Sequence, residues 1–244
     1  MENYIFGIHP VLESLEAGKI PEKVLIQKGL QGDNFQKLFA RVRALKVPFQ
    51  MVPVEKLNRI TKKNHQGVIA EMPVIEFAKL ENLIPAVFES GETPLIVMLD
   101  GVTDVRNLGA IARSAECAGA HAVILPEKGS ARVNSDAIRA SSGALSRLPV
   151  CKEAHLLHSI AFLKECGIHV MACDSKGTTS IYQEDLRKPL AVVMGSEEKG
   201  VSAAARKMAD QVAEIPMKGK IASLNVSVAT GIILFESLRQ RDHG

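Results

Sequence analysis

The sequence predicts an α/β fold whose larger part contains a mainly parallel sheet. Three observations support this prediction. From residue 94 onward, strand-length apolar runs recur, stretches with helical spacing separate them, and glycines or polar residues mark the changes between the two patterns. Alternation of this kind is typical of a parallel sheet covered by helices. The chain of 244 residues suffices for one large or two small domains, each with its own core.

The first 73 residues predict a small, separate α/β unit. Short apolar runs at Val24–Ile26, Phe49–Val52 and Gly67–Ala70 predict three strands. Between the first two, Phe35–Leu45 repeats its apolar residues at helical spacing. The segment contains 11 Lys and Arg against 7 Asp and Glu, which suits a polyanionic partner such as a nucleic acid. We expect a phosphate-contacting surface, with a merely solvated basic face as the alternative for each member: Arg41, Arg43, Lys46, Arg59, Lys62 and Lys63.

Residues 74–93 are expected to link this unit, residues 1–73, to a second domain at residues 94–244. Pro73, Pro85 and Pro94 interrupt the stretch, and its charge turns acidic, with one Lys against four Glu. A short helix is predicted near Leu80–Phe88.

The second domain begins with Leu95–Leu99, which is apolar throughout, as expected of a strand buried on both faces of a sheet. The elements predicted after it are helix Leu108–Ala120, strand Ala122–Leu125, helix His155–Cys166, strand Ile168–Ala172, strand Leu190–Met194, helix Val201–Met208, strand Val212–Ile215 and helix Val226–Leu238. The last helix is apolar on nearly every side, which predicts burial against the sheet or against another subunit.

Composition argues against several classes of protein. No apolar run approaches the roughly 20 residues that a membrane helix needs, and the first residues do not have the pattern of a signal peptide. The four cysteines form no CxxC pair and share no metal-ligand spacing with the histidines. We therefore expect a cytoplasmic protein with reduced thiols, no membrane segment and no metal.

Ligands bind beyond the carboxyl ends of strands in open parallel sheets, and three such ends carry polar residues. The first segment, Asp100–Ser114, contains Asn107 and Arg113. Asp104 or Asn107 could cap the helix, and Arg113 could be an ordinary surface arginine. The two candidate side chains lie about 240° apart around a helix, so they do not share a narrow face, but they could still flank one cleft if Asn107 lies in the loop.

The second segment, Gly195–Ser202, is a glycine-bounded loop between a strand and a helix, which is typical of a backbone cradle for a small ligand. It is not a P-loop, because Lys199 precedes Gly200 instead of following it. The pattern GxGxxG is absent here and after the first strand, which argues against an oxidoreductase on an ordinary dinucleotide-binding fold. Glu197 and Glu198 would repel phosphates but tolerate a cationic or polar ligand.

The third segment, Pro216–Ser227, precedes the last helix. Ser223 could cap that helix, in which case Asn225 falls in the first turn.

Together the three segments resemble the signature motifs of the SpoU (TrmH-like) family of RNA 2'-O-ribose methyltransferases. The matching stretches are Asn107–Arg113, Met194–Gly200 and Ile215–Gly231. One motif would be weak evidence, but all three in order are highly specific. Phe6–Val11 and Asn64–Gly67 resemble parts of the family's substrate-binding domain, so the resemblance covers nearly the whole chain.

The resemblance implies a SPOUT α/β domain with a deep trefoil knot, a smaller domain like ribosomal protein L30e, and a homodimer. The residues alone would not suggest a knot, because knots are nearly absent from proteins. The resemblance also implies S-adenosylmethionine as the cofactor and methyl transfer to a ribose 2'-hydroxyl. In the branch of the family that the chain most resembles, the modified residue is a guanosine of 23S rRNA. The alternatives are a tRNA substrate and a non-catalytic RNA-binding or ribosome assembly protein.

Residue by residue, the resemblance assigns catalysis to Asn107, Arg113, Glu197, Ser223 and Asn225. It assigns the cofactor cradle to Met194, Gly195, Ile215, Met217, Leu224 and Asn225. Arg113 is the family's candidate for activating the hydroxyl. Because an arginine normally stays protonated, we expect it at least equally to position a phosphate or to stabilise the developing alkoxide.

Overall fold

The computed structural model describes residues 4–220 and 223–243. The chain divides between Val74 and Ile75 into two compact units. Within the described residues, no helix combines the length and the apolar character needed to cross a membrane.

Over residues 4–74, the smaller unit is a four-stranded sheet with three helices. Its elements are β1 (Tyr4–Phe6), α1 (Ile8–Glu16), β2 (Lys23–Gln27), α2 (Asp33–Ala44), β3 (Phe49–Val52), α3 (Val54–Ile60) and β4 (Val68–Glu71). The strand order is β1-β4-β2-β3, in which only β2 and β3 are parallel. The three predicted strands and the predicted helix are confirmed, whereas β1, α1 and α3 were not predicted.

The larger unit contains a seven-stranded sheet in the part of the chain that the structure describes. Its elements are α4 (Leu80–Glu89), β5 (Leu95–Asp100), α5 (Val105–Cys117), β6 (Ala122–Pro126), α6 (Ser135–Ala140), β7 (Val150–Glu153), α7 (Leu156–Glu165), β8 (His169–Cys173), β9 (Thr179–Ser180), β10 (Leu190–Gly195), α8 (Ala203–Met208), β11 (Gln211–Glu214) and α9 (Val226–His243), with 3-10 turns at Ala144–Ser146 and Ile181–Gln183. The order is β7-β6-β5-β10-β8-β11-β9, and every neighbouring pair is parallel.

The apolar strands lie at the centre of this sheet. Leu95–Leu99 and Leu190–Met194 are buried along their whole length, and side chains of α4, α7 and α8 pack in one core cluster with residues of β5 and β10. This confirms the predicted α/β fold with a parallel sheet.

The segment expected to be a linker packs largely onto the larger unit. Leu80 and Ile84 of α4 are buried in its core, and Ala78 forms a bridge with Cys151. The helix predicted near this position is confirmed, with Pro85 inside it. The segment packs through the apolar face of α4. The prolines and the acidic charge, on which the linker prediction rested, do not determine this packing.

Candidate functional site

The carboxyl ends of β5, β10 and β8 lie side by side at one edge of the sheet. The register pairs Gly195 of β10 with Asp100 of β5 and Met194 with Cys173 of β8. The loops that follow these strands therefore begin at the same level, as expected of a ligand site in a parallel sheet.

Three of the predicted catalytic side chains meet in one hydrogen-bonded cluster. The Asn107 Nδ2 group donates to Glu197 Oε1 at 3.0 Å, and Asn225 Nδ2 donates to Asn107 Oδ1 at 3.0 Å. Asn225 also donates to the same Glu197 oxygen. These residues lie 90 and 118 positions apart from Asn107 in the sequence, so the fold itself brings the first, second and third segments together.

Helix starts hold two members of this cluster. The Asp104 Oδ1 atom accepts the backbone N–H groups of Arg106 and Asn107 at 2.8 and 2.9 Å, so Asp104 is the cap and α5 begins at Val105. This start lies earlier than the sequence predicts.

The cap of α9 differs from the expected one. The Asn225 Oδ1 atom accepts the Ser227 N–H group at 2.9 Å, so Asn225 caps the helix, not Ser223. Because Asn225 has both an acceptor oxygen and an NH₂ donor, its oxygen serves the helix while its nitrogen holds Asn107 and Glu197.

A first cavity of about 310 Å³ opens at this edge of the sheet. Its volume lies in the range of small-molecule sites, which is about 300–1,000 Å³. The lining includes five of the six residues predicted for the cofactor cradle, together with Glu197 and Ser223: Met194, Gly195, Ile215, Met217 and Leu224. Asn225, the sixth, stands beside the cavity through its bond to Glu197.

A second cavity, of about 410 Å³, adjoins the first. Both are lined by the loop 196–199 and by Val226, so this loop forms a shared wall. The far side of the second cavity consists of Gly101–Asp104, Asn107 and Gly129. The two cavities can therefore hold one ligand each, on opposite sides of Glu197.

The first cavity has a third loop that was not predicted from the sequence. Asp174, Ser175 and Lys176 follow β8 and line it. The signal was present, because these residues also follow the carboxyl end of a predicted strand. Burial by itself would raise the pKa of Asp174, but the N–H groups of Lys176 and Val201 and the guanidinium of Arg206 lower it.

Cys173, also in the lining, is not a nucleophile. Burial, and after it the neighbouring Asp174 carboxylate, raises the pKa of its thiol to about 12. The thiol is therefore neutral near pH 7, and a neutral thiol is a poor nucleophile. No group of three or more His, Cys, Asp or Glu within residues 4–220 and 223–243 could hold a metal ion.

Arg113 is not brought into this arrangement. It is exposed on α5 and does not line either cavity. The condition for its sharing a cleft with Asn107, that Asn107 lies in a loop, is not met, because Asn107 is the third residue of α5.

The six basic residues predicted to contact RNA are all exposed on the smaller unit. Aromatic rings lie among them. The Arg43 guanidinium lies 6.0 Å from the centre of the Phe39 ring, and the Lys63 ammonium 5.8 Å from that of Phe6. Phe49 contacts Phe39 edge-on and is 41% exposed.

Two family models match the chain. The model of the SpoU rRNA Methylase family matches residues 94–235, and the model for RNA 2'-O ribose methyltransferase substrate binding matches residues 4–77. The first match includes all three motif segments.

Individual proteins resemble the chain over nearly its full length. The 23S rRNA (guanosine-2'-O-)-methyltransferase RlmB of Yersinia pestis is 38% identical over 99% of this chain and 98% of its own. The putative TrmH family tRNA/rRNA methyltransferase YacO of Bacillus subtilis (strain 168) is 32% identical over 98% and 96%. The crystal structure of the SpoU methyltransferase AviRb from Streptomyces viridochromogenes in complex with the cofactor AdoMet has a TM-score of 0.64 and 25% identity, covering 100% of this chain and 92% of that one.

Proposed function

Because the chain belongs to the SpoU rRNA methylase family, we propose that it transfers a methyl group from S-adenosylmethionine to the 2'-hydroxyl of a guanosine in 23S rRNA. The observation that carries the proposal is the crevice itself. Side chains from all three motif segments join in one cluster, and that cluster stands between two adjoining cavities. The choice of a 23S rRNA guanosine over tRNA is supported by relatives of that name at 38% identity over nearly the whole chain.

The residues of the first cavity fit this cofactor. Met194, Ile215 and Leu224 provide an apolar lining for the uncharged parts of the molecule. Glu197 and Glu198 line the same cavity, and their carboxylates are compatible with a positive sulfonium. When bound, S-adenosylmethionine supplies a methyl group on that sulfonium.

The cluster orients the acceptor ribose. Its amide and carboxylate groups face the second cavity, where Asn107 and Glu197 form part of the lining. Such groups can donate to and accept from ribose hydroxyls. The hydroxyl oxygen must contact the methyl carbon directly and displace S-adenosylhomocysteine, so the two substrates must meet where the cavities adjoin at the loop 196–199. Alignment of two bound substrates is worth a large part of the rate of such a reaction. The acceptor nucleotide therefore enters the second cavity. Ser223 lines the first cavity, and Asn225 holds Glu197 of the shared loop through a hydrogen bond.

Arg113 acts on the RNA from outside the cofactor cavity. An exposed guanidinium on α5 can bind a phosphate of the RNA beside the target nucleotide and so position it. We expect Arg113→Ala to bind S-adenosylhomocysteine as the native chain does and to lower single-turnover methyl transfer by about a hundredfold or more. Calorimetry and methyl transfer to 23S rRNA measure the two quantities.

Arg106→Ala is the matched control, because Arg106 is an exposed arginine on the same helix and lies outside the first motif. Normal turnover by the Arg113 variant would remove this residue from the mechanism.

The six basic residues of the smaller unit bind the RNA backbone in this proposal. Their shared exposure, the rings of Phe39 and Phe49 among them, and the match of this unit to a substrate-binding model support the assignment. Phosphate contacts give affinity, and exposed aromatic rings offer stacking surfaces to unpaired bases.

The chain also forms a homodimer in this proposal. Helix α9 exposes Val228 and Phe235, which are 51% and 49% accessible. Seven residues apart, they lie nearly above one another on the helix surface. Large apolar side chains aligned on one helix face support a self-complementary contact.

A further inference from the structure

Two aspartates stand on either side of β10 at the carboxyl edge of the sheet. Asp100 is the last residue of β5 and pairs in register with Gly195. Asp174 directly follows β8, whose last residue, Cys173, pairs with Met194. Since β10 lies between β5 and β8, the loop that leaves β10 is flanked by a carboxylate on each side.

Both carboxylates accept hydrogen bonds from the last residues of this loop, directly before α8. Asp174 Oδ2 accepts the Val201 N–H group at 3.0 Å, and Asp100 Oδ2 accepts the Ser202 N–H group at 2.8 Å. Two consecutive backbone donors are thus bound from the two strands that flank β10. Arg206 of α8 also donates to Asp174 Oδ2, at 3.0 Å.

The backbone of the loop is tightly packed where it comes back to the end of β10. The Gly200 N–H group donates to the backbone oxygen of Ser196 at 2.8 Å, which closes the turn. A Cβ atom on Gly200 would lie 2.6 Å from Asp174 Oδ2, and Gly200 has a φ of +65°. The position of the Asp174 carboxylate therefore sets the position of the loop backbone.

The Asp174 carboxylate lies in the lining of the first cavity but is bound mainly from within the protein. Its side chain is 3% exposed, and its Oδ1 atom accepts the Lys176 N–H group at 3.0 Å. With Oδ2 bound to Val201 and Arg206, both oxygens are occupied from within the protein. We therefore expect Asp174 to affect a ligand mainly through the loops that it holds.

We propose that Asp174, with Asp100 opposite it, is a positioning residue for methyl transfer: the two carboxylates fix the end of the loop 195–201, whose residues 196–199 line both cavities. The proposal rests on the proposed function of those cavities. A loop that positions two substrates must itself be held in place by groups that do not touch the substrates.

The test is Asp174→Asn, which keeps the shape of the side chain but leaves one oxygen for three donors. We expect the KM for S-adenosylmethionine to rise, and the affinity for S-adenosylhomocysteine to fall, by about tenfold or more, because a charge-assisted hydrogen bond is lost inside the protein. The kcat at saturating cofactor should change less. Asp174→Ala, which loses all three acceptor contacts, should have the larger effect in the same direction.

Asp210→Asn is the matched control. Asp210 Oδ2 accepts the Val170 N–H group at 2.9 Å, and its Oδ1 pairs with Lys164 at 2.8 Å. It therefore binds one backbone donor and one cation, where Asp174 binds two backbone donors and one cation, and it lies at the amino end of the strands. We expect Asp210→Asn to lower Tm while leaving cofactor affinity unchanged.

Binding of S-adenosylhomocysteine to the native chain is measured first, because its absence would contradict the proposed function and not the positioning role. If the native chain binds it and Asp174→Asn resembles Asp210→Asn in KM and affinity, the positioning role is overturned. Asp100→Ala gives a second arm should Asp174→Asn fail to fold. It should weaken cofactor binding, and unchanged binding there would equally contradict the inference.

Discussion

Gly195 ends β10 at a point where two stretches of backbone touch. A Cβ atom on this residue would lie 1.9 Å from the carbonyl carbon of Gly200 and 2.1 Å from the nitrogen of Val201. Real Cβ atoms do not approach other atoms so closely, and backbone atoms cannot move aside as a flexible side chain can. The family resemblance predicts that Gly195 belongs to the cofactor cradle, and the structure adds that no larger residue has space there.

We expect Gly195→Ala to lower the free energy of unfolding by about 1–3 kcal/mol, because overpacking forces the backbone to shift. The shift displaces the loop 196–199, so affinity for S-adenosylhomocysteine should fall as well. Denaturant unfolding and calorimetry measure both effects. Gly219→Ala is the control, since a Cβ atom there meets nothing within 4 Å. If the two variants had the same free energy of unfolding and the same affinity for S-adenosylhomocysteine, the backbone would accommodate a Cβ atom at Gly195 and the prediction would be wrong.

Helix α9 buries one side within the larger unit and leaves another open. Thr230, Ile233 and Leu234 are fully buried, whereas Val228 and Phe235 are about half exposed. At its end, Arg241 donates to four backbone oxygens, which holds the helix near the beginnings of β5 and β10: those of Thr93, Pro94, Leu186 and Lys188. The apolar composition predicted burial on several sides, and the exposed side is the one proposed to meet a second copy.

We expect the native chain to sediment as a dimer and Val228→Asp/Phe235→Glu to sediment as a monomer, because two carboxylates cannot be buried unpaired in an apolar contact. Sedimentation equilibrium gives the mass. Phe88→Glu is the control, since Phe88 is a comparably exposed ring, 40% accessible, on α4. A monomeric native chain, or a dimer that survives the double substitution, would contradict the assignment of this face.

Elements with a strong local pattern were predicted well, and short elements at the sheet margin were not. The continuous apolar runs of β5 and β10 identified the two central strands. By contrast, β7 is an edge strand of four residues with only Val150 and Cys151 buried, and β9 has two residues. Such segments have too few buried positions to show a period, so their pairing depends on the neighbouring strand.

The molecule separates its two proposed tasks between its two units. The cavities and the polar cluster belong to the larger unit, and the exposed basic residues with their aromatic neighbours belong to the smaller one. The knot and the likeness to ribosomal protein L30e stay predictions from the family resemblance. The chain between the second and third motif residues includes positions 221 and 222, which lie outside the described residues.

We expect Arg41→Gln/Arg43→Gln/Lys46→Gln to flatten the salt dependence of RNA affinity by about 2 to 3 in logarithmic slope, since each lost phosphate contact removes about 0.7–0.9. Binding of S-adenosylhomocysteine should stay unchanged. Filter binding across a salt series measures the slope. The control removes the same number of charges from arginines already paired with acids: Arg139, Arg187 and Arg239. The same slope in native and triple-substituted chains would exclude this surface.

The amino-acid sequence by itself determined the strand and helix pattern of the central sheet and the three segments that could carry chemistry, because these depend on local periodicity and on residue types at short spacing. Only the tertiary structure decided that Asn107, Glu197 and Asn225 meet, that Arg113 stands apart from them, and that Asp174 holds the loop between the cavities. Such contacts join residues far apart in the chain. They follow from the order of the strands in the sheet, which no local pattern encodes.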